Sequence, residues 1–373
     1  MQVPAPDSER SQYLSTKLRA SVLTAPSQLT DHVQGLSDER VFQAVEVARQ
    51  YHFRVPEYYA RHVLTGDPED PLLSIVMPAE EELDDGEELW DFTPSPYRVS
   101  DSSFWIQKYE YQGLLRLTTV CSGLCRFCYL KQKNLVTRVM QVDDVDRVFD
   151  DLEERGSKLQ EIILSGGDPL CAPVDTLEAI GVRLRRLHSL SGKSSPHVTI
   201  HTREPVWDPA ALLNKQALWD ALDVVQARVI MINVLHPREV TPEFLDVCRR
   251  LGEAHGSSSR PALLCQHPVF RGVNDSVEIL EGLYTRLLTA SPPVLPYYMV
   301  HPFFNGTLPS HRLNLDQSQG IYRQLVRRPG CLVPRLVVPT PWGKCIVGPH
   351  EQLQRVGDFY RLTTKDGRQV LVK

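Results

Sequence analysis

The sequence predicts an α/β fold: a partial (β/α)6 barrel with an N-terminal helical extension and a small C-terminal appendage. Three observations predict it. From about Tyr111, short apolar runs alternate with amphipathic helical segments, the pattern of βαβ units on a parallel sheet. Six such units are present, which fits a partial barrel better than a closed eight-stranded one. The chain has 373 residues, 42% of them hydrophobic, enough to bury one large core.

Residues 1–110 read as the extension. Helical patterning runs from about Leu14 to Leu23 and from about Asp38 to Tyr51. The acidic, Pro-bearing stretch from Gly66 to Tyr97, with PAEEELDDGEELWD, reads as a solvated connector. The barrel core is assigned to 111–330. Its strands are GLLRLTTV (113–120), EIILS (161–165), HVTIH (197–201), RVIMINVL (228–235), ALLCQ (262–266) and PVLPYYMV (293–300). Helical patterns lie near 142–155, 174–188, 209–222, 241–255, 276–290 and 315–327. Two more strand-like runs, CLVPRLVV (331–338) and GRQVLV (367–372), are assigned to an appendage over 331–373.

Charge narrows the function classes. The net charge is −5 and the pI about 6.2, which argues against a broad basic surface for nucleic acid. No run reaches the ~18 apolar residues of a membrane span. The N-terminal MQVPAPDSERSQYLSTKLRA lacks the apolar core of a secretory signal, so a cytoplasmic location is expected. Eight cysteines are too sparse for a disulfide scaffold, and three of them fall between 121 and 128.

Those three read TTVCSGLCRFCYL: Cys121, Cys125 and Cys128, spaced C-x3-C-x2-C, just after the first core strand. Loops at strand C-termini are where parallel α/β folds place their chemistry. Three thiolates can ligate three irons of a [4Fe-4S] cluster and leave the fourth iron open. Zinc, the alternative, prefers four ligands, and this is not a common zinc spacing. The motif resembles that of the radical S-adenosylmethionine (SAM) superfamily, whose open iron chelates SAM. The resemblance implies reductive cleavage of SAM to a 5′-deoxyadenosyl radical, with electrons from a donor such as flavodoxin or ferredoxin. It also implies an adenine contact at Phe127, where simple packing is the alternative. The second strand ends in LSGGDPL (164–170). Two glycines permit close backbone approach to a ligand. By the same resemblance Ser165, Gly166, Gly167 and Asp168 hold the SAM amino group. Asp168 reads equally as a helix cap.

Along most of its length the chain resembles the lysine 2,3-aminomutase family. The matching segments are VPEYYARHVLTGDPEDPL (55–72), VCSGLCRFC (120–128), ILSGGDPL (163–170), REPV (203–206), HPREVT (236–241), FRGVND (270–275), LPYY (295–298) and VPRLVV (333–338). The resemblance implies a second cofactor, pyridoxal 5′-phosphate (PLP), carried by a lysine beyond the last core strand. In VVPTPWGKC (337–345) that position is Lys344; a surface lysine in a turn is the alternative. Gln266 matches a glutamine near the cofactor and reads otherwise as a polar core residue. The implied activity moves an amino group from Cα to Cβ of a small amino-acid substrate. Other outcomes on the same cofactors, such as deamination or oxidation, stay open, as do modification of a protein lysine and homo-oligomer formation.

The chain departs from the lysine-specific members. Their carboxylate-binding arginine is replaced by Leu130, near Lys131 and Lys133, and their two ammonium-binding aspartates by Phe303 and Pro339. A guanidinium fork has no substitute in leucine. With Phe304 and Trp342 nearby in sequence, a more apolar pocket is expected and free lysine is expected to be a poor substrate. Lys108, Arg116 and Arg203 are candidate phosphate or carboxylate partners, or structural ion pairs.

Overall fold

The computed structural model describes residues 22–83, 97, 99–128, 130, 137–155, 158–191, 196–253, 260–302, 308–329 and 333–372. Most of the patterned helix from Leu14 to Leu23, the acidic run 84–96, and Lys131, Lys133, Phe303 and Phe304 lie outside the described residues. Val22–Leu23, where that helix was expected to end, form instead a short strand (β1) paired antiparallel with Val55–Pro56 (β2). Pro26 restricts Ala25 to extended backbone, so a helix cannot run through here. Helix Asp38–Gln50 follows, capped by Ser37, whose hydroxyl accepts from Arg40 N–H at 3.2 Å. Helix Glu57–His62 buries Tyr59 and Ala60.

The expected parallel sheet is present. Its strands are Trp105–Tyr109 (β3), Gln112–Thr118 (β4), Glu161–Gly166 (β5), His197–Thr202 (β6), Val229–Asn233 (β7), Ala262–Pro268 (β8), Leu295–Val300 (β9), Arg335–Thr340 (β10) and Gly343–Val347 (β11). They form one nine-stranded sheet in the order of the sequence. β4 to β10 run parallel; β3 and β11 are antiparallel edges. Three of these strands, β3, β10 and β11, fall outside the segment assigned to the core. β3 lies in the expected extension yet forms a hairpin with β4. β10 lies in the expected appendage yet pairs parallel with β9. Leu336, Val337 and Val338 of β10 are all buried, and such a continuous apolar run marks a strand covered on both faces. A separate three-stranded antiparallel sheet remains at the C-terminus: Gln354–Val356 (β12), Phe359–Thr363 (β13) and Gln369–Val372 (β14).

The helices return the chain between parallel strands and bury one face each. Val142–Arg155 contributes Val145, Val148, Phe149 and Leu152. The pattern near 209–222 divides into Pro209–Leu213 and Gln216–Val225, because the polar Asn214–Lys215 pair interrupts its apolar face. Helix Val174–Ser191 packs on the second of these. At Gly181 a Cβ would stand 2.6 Å from the backbone carbonyl of Val224. Gly181→Ala should therefore destabilise the chain by about 1–3 kcal/mol through overpacking, although alanine favours helix by ~1 kcal/mol. A lowered urea midpoint at unchanged slope is the expected result.

Candidate active site

The chain leaves β4 at Thr118 and turns through the three cysteines, each partly exposed. The N-terminal extension holds this turn from one side. Leu124 N–H donates to Arg54 O at 2.8 Å, and the Arg54 guanidinium donates to Cys121 O at 3.3 Å. Arg126 N–H donates to Ile75 O at 2.9 Å. The Arg126 side chain is buried, paired with buried Glu82 at 2.5 and 3.0 Å, and donates to His52 O at 2.9 Å. From the other side, Ser122 N–H and hydroxyl both donate to the Glu204 carboxylate, at 3.0 and 2.5 Å. Gly123 permits the approach of Trp207, whose ring would lie 2.5 Å from an added Cβ.

Burial pushes the Cys125 thiol up to about 12, against the opposing charge of Arg203. Burial, then the charge of Asp168, pushes Cys121 well above its ordinary value. A cation beside these thiols favours the thiolates, and iron supplies one. Among the described residues no group of three or more His, Cys, Asp or Glu is placed to hold a single metal ion. A cubane asks something different: each thiolate reaches its own iron. The donor set fits that group.

The glycines at the end of β5 pack against the end of β4. Gly166 has φ +125°, and a Cβ there would meet Thr118 O at 2.4 Å; one at Gly167 would meet Val120 O at 2.5 Å. Gly167 N–H donates to Thr118 O at 2.5 Å and Asp168 N–H to Val120 O at 2.8 Å. The buried Asp168 carboxylate caps a short turn at Leu170 N–H (3.0 Å). It also accepts from the Thr202 hydroxyl (2.8 Å), Arg203 N–H (2.7 Å) and Glu204 N–H (3.2 Å). Burial, then the neighbouring charge of Glu204, raises it to about 7.

Beside this turn lies a cavity of about 340 Å³, lined by residues from β3 through β11 and their loops. Phe127, Ser165, Gly166, Gln266 and Lys344 all line it; the cysteines, Gly167 and Asp168 do not. The Phe127 ring packs 4.9 Å from that of Phe270. Lys344 is not in a turn: it sits in β11 opposite Pro339, its ammonium 4.7 Å from the centre of the Tyr298 ring. Its N–H donates to the Tyr109 hydroxyl at 2.6 Å. Burial, then the charge of Lys365, lowers the amine from its ordinary value to about 8, against the pull of Glu161.

Sequence reasoning passed over His201, Tyr109 and Asn233, which also line the cavity. His201 Nδ1 lies 3.5 Å from Gln266 Nε2; burial and the Lys344 charge lower the imidazole to about 3, so it stays neutral. Both His201 and Asn233 sit at C-terminal ends of parallel strands, the signal that would have found them. Lys108 and Arg116 line the cavity, and Arg116 also donates to Ser103 O at 2.7 Å. Arg203 is instead a buried structural cation, paired with Glu239 at 2.7 Å and 5.0 Å over the Trp207 ring. Leu130 is buried, Pro339 lines the cavity, and Trp342 is 42% exposed and outside the lining.

Residues 115–276 match the family model described as the radical SAM superfamily. The segment is a radical SAM domain. The chain is 25% identical over 329 residues to the L-lysine 2,3-aminomutase of Buchnera aphidicola, covering 86% of this chain and 91% of that protein. It is 25% identical over 325 residues to the L-lysine 2,3-aminomutase of Escherichia coli, covering 85% and 89%. It is 22% identical over 334 residues to the glutamate 2,3-aminomutase of Clostridioides difficile, covering 87% and 74%. The radical SAM domain contains the cysteines and the glycine turn and ends before β9, so Lys344 enters the cavity from outside it. No helix among the described residues is long and apolar enough to cross a membrane.

The clamp on the cysteine turn makes a checkable prediction. Glu82→Ala removes the carboxylate that faces the buried Arg126 guanidinium, a loss of about 3–5 kcal/mol. Calorimetry should record that loss, and iron retained after anaerobic reconstitution should fall although every cysteine is intact.

Proposed function

We propose that the chain is a radical SAM, PLP-dependent aminomutase-like enzyme that moves an amino group from Cα to Cβ of an amino acid other than free lysine. One observation carries this reading: Phe127, Ser165 and Gly166 share a single cavity with Lys344. The names of the relatives supply the reaction type. In this reading Cys121, Cys125 and Cys128 hold the [4Fe-4S] cluster. Phe127 and the Ser165–Gly167 backbone hold SAM, and Lys344 with Gln266 holds PLP. Bound together, these groups supply a carbon-centred radical and an electron sink.

The chain's own residues orient and shield. A desolvated amine that sheds its proton near pH 8 is suited to hold an aldehyde cofactor covalently. Ile106, Leu114, Ile163, Phe270 and Val300 line the space with hydrocarbon and exclude water. His201 and Gln266 add neutral polar contacts. No Asp or Glu occurs among the described lining residues. A distal ammonium would stay unpaired there, at a cost of roughly several kcal/mol, the scale of a broken buried pair. Leu130, buried where a carboxylate-binding arginine would stand, favours a second reading: the same cofactors with a different outcome, on a substrate whose carboxylate is modified. A flavodoxin- or ferredoxin-like reductant, a cytoplasmic location and a possible homo-oligomer complete the proposal.

Borohydride reduction after PLP is added should leave a phosphopyridoxyl adduct on Lys344, located by peptide mass mapping. An unmodified Lys344 in a folded, iron-replete preparation sinks the PLP assignment. Lys344→Ala should lose turnover and keep its iron. With SAM and reductant under anaerobic conditions, free lysine should turn over about 100-fold more slowly than the best amino acid, as an unpaired ammonium requires. A product with nitrogen elsewhere than Cβ would favour the second reading.

A further inference from the structure

The short helix Glu204–Trp207 meets the cysteine turn at two successive residues. Trp207 packs where Gly123 has no Cβ, and the Glu204 carboxylate holds Ser122. One carboxylate oxygen receives the Ser122 N–H at 3.0 Å, and that nitrogen is bonded directly to the carbonyl carbon of Cys121. The other receives the Ser122 hydroxyl at 2.5 Å. That hydroxyl has one proton, so the Cys171 thiol, 3.6 Å away, is the donor in its contact with the same oxygen. Glu204 is buried. The buried guanidiniums nearby are paired elsewhere, Arg126 with Glu82 and Arg203 with Glu239. Among the described residues, the donors that reach the Glu204 carboxylate are the two neutral ones of Ser122. Holding a turn by two neutral donors needs only a neutral acceptor, and a buried carboxylate is a costly choice for it. The charge therefore calls for a reason of its own.

We propose that Glu204 is a positioning residue for the iron–sulfur cluster: its carboxylate fixes the cysteine turn and places a negative charge beside Cys121, which makes the cluster harder to reduce and, once reduced, a stronger electron donor. This role rests on the reading that Cys121, Cys125 and Cys128 hold the cluster. Reduction adds one electron, and fixed negative charge in a dry site opposes it. The other carboxylate at the turn is Asp168, which accepts the Glu204 N–H at 3.2 Å. Burial, then the charge of Glu204, raises the Asp168 carboxyl above its ordinary range. Near neutral pH, Asp168 can therefore lose a proton when Glu204 is neutralised and replace the missing charge. At about pH 9 Asp168 is ionised in either case, and neutralising Glu204 removes one whole charge.

The test reads the cluster's potential, not turnover. The full chain is reconstituted anaerobically with iron and sulfide, without SAM or PLP. It is then titrated with dithionite at about pH 9 against redox dyes, the reduced cluster being read by electron paramagnetic resonance. Poised at the native midpoint, Glu204→Gln should hold a reduced-to-oxidised ratio about tenfold higher than the native chain, a shift of about 59 mV for one electron. Glutamine keeps the shape of the contact: its amide oxygen can accept the Ser122 N–H, and its amide nitrogen can donate to the Ser122 oxygen. Glu204→Asp keeps the charge and should stay within about twofold of the native ratio. Ser122→Ala loosens the same contact without removing the charge and should also stay within about twofold. Should Glu204→Gln fail to fold or to bind iron, Glu204→Ser, neutral with one oxygen acceptor, takes its place. Equal midpoints in the native chain and the neutral variant overturn the proposal. So does an equal displacement in Ser122→Ala, which would put the effect in the shape of the turn and not in the charge. A native chain that assembles no cluster removes the cluster reading, and this role with it. A cluster in every chain with an unmoved midpoint removes this role alone.

Discussion

The close approach of the Gly166–Gly167 backbone to the end of β4 is the constraint on which the site depends. It is made possible by two missing Cβ atoms and is sealed by amide donations to Thr118 O and Val120 O. From there a ring of polar contacts closes. Asp168 receives the amides that begin the next turn at Arg203 and Glu204. Glu204 reaches back to Ser122, between the first two cysteines. The C-termini of β4, β5 and β6 are thereby fixed to one another before any ligand arrives. This is preorganisation in the physical sense: the ordering cost is met in folding rather than in binding.

The two sides of the cavity have opposite electrostatic character. Next to the cysteine turn lie the buried carboxylates Asp168 and Glu204; burial, then the charge of Glu204, raises Asp168 above its ordinary value. Around Lys344 lie cations and neutral rings, with Glu161 as the opposing charge. Buried charge of one sign is costly unless a ligand of the other sign is expected. Iron at one side meets that condition. Lys108 and Arg116 line the cavity with Lys344 at the other.

Much of this was legible in the sequence. The apolar runs gave the parallel strands nearly to the residue, because strands covered on both faces carry continuous hydrocarbon, as in Ile162–Leu164 and Ile230–Ile232. The cysteine spacing and the paired glycines were visible because their chemistry leaves little choice of residue. Less visible was what requires distance along the chain. Arg126 reads as an ordinary loop cation until Glu82 and the carbonyl of His52 are brought to it. Arg203 reads as a possible ligand until Glu239 takes it. The glycines read as ligand contacts; their close fit against the end of β4, which also excludes a Cβ, shows only once the strands are paired, with Gly166 in the cavity lining. β3 and β10 were placed outside the core because the helical rhythm stops at its edges, whereas hydrogen bonding along the sheet does not.

The cavity draws its walls from three stretches of chain that composition treats as separate. The extension secures the cysteine turn through Arg54, Ile75 and Glu82. The radical SAM domain supplies the strand ends. β10 and β11, beyond that domain, bring Lys344 across to face them. A lysine on a loose appendage would sample many positions and keep an ordinary, protonated amine. Placed instead on a strand hydrogen-bonded to the main sheet, its backbone N–H on the Tyr109 hydroxyl and its ammonium over the Tyr298 ring, it is held in hydrocarbon and aromatic surroundings. Edge-strand pairing thus does two things at once: it extends the sheet by β11, and it removes an amine from water.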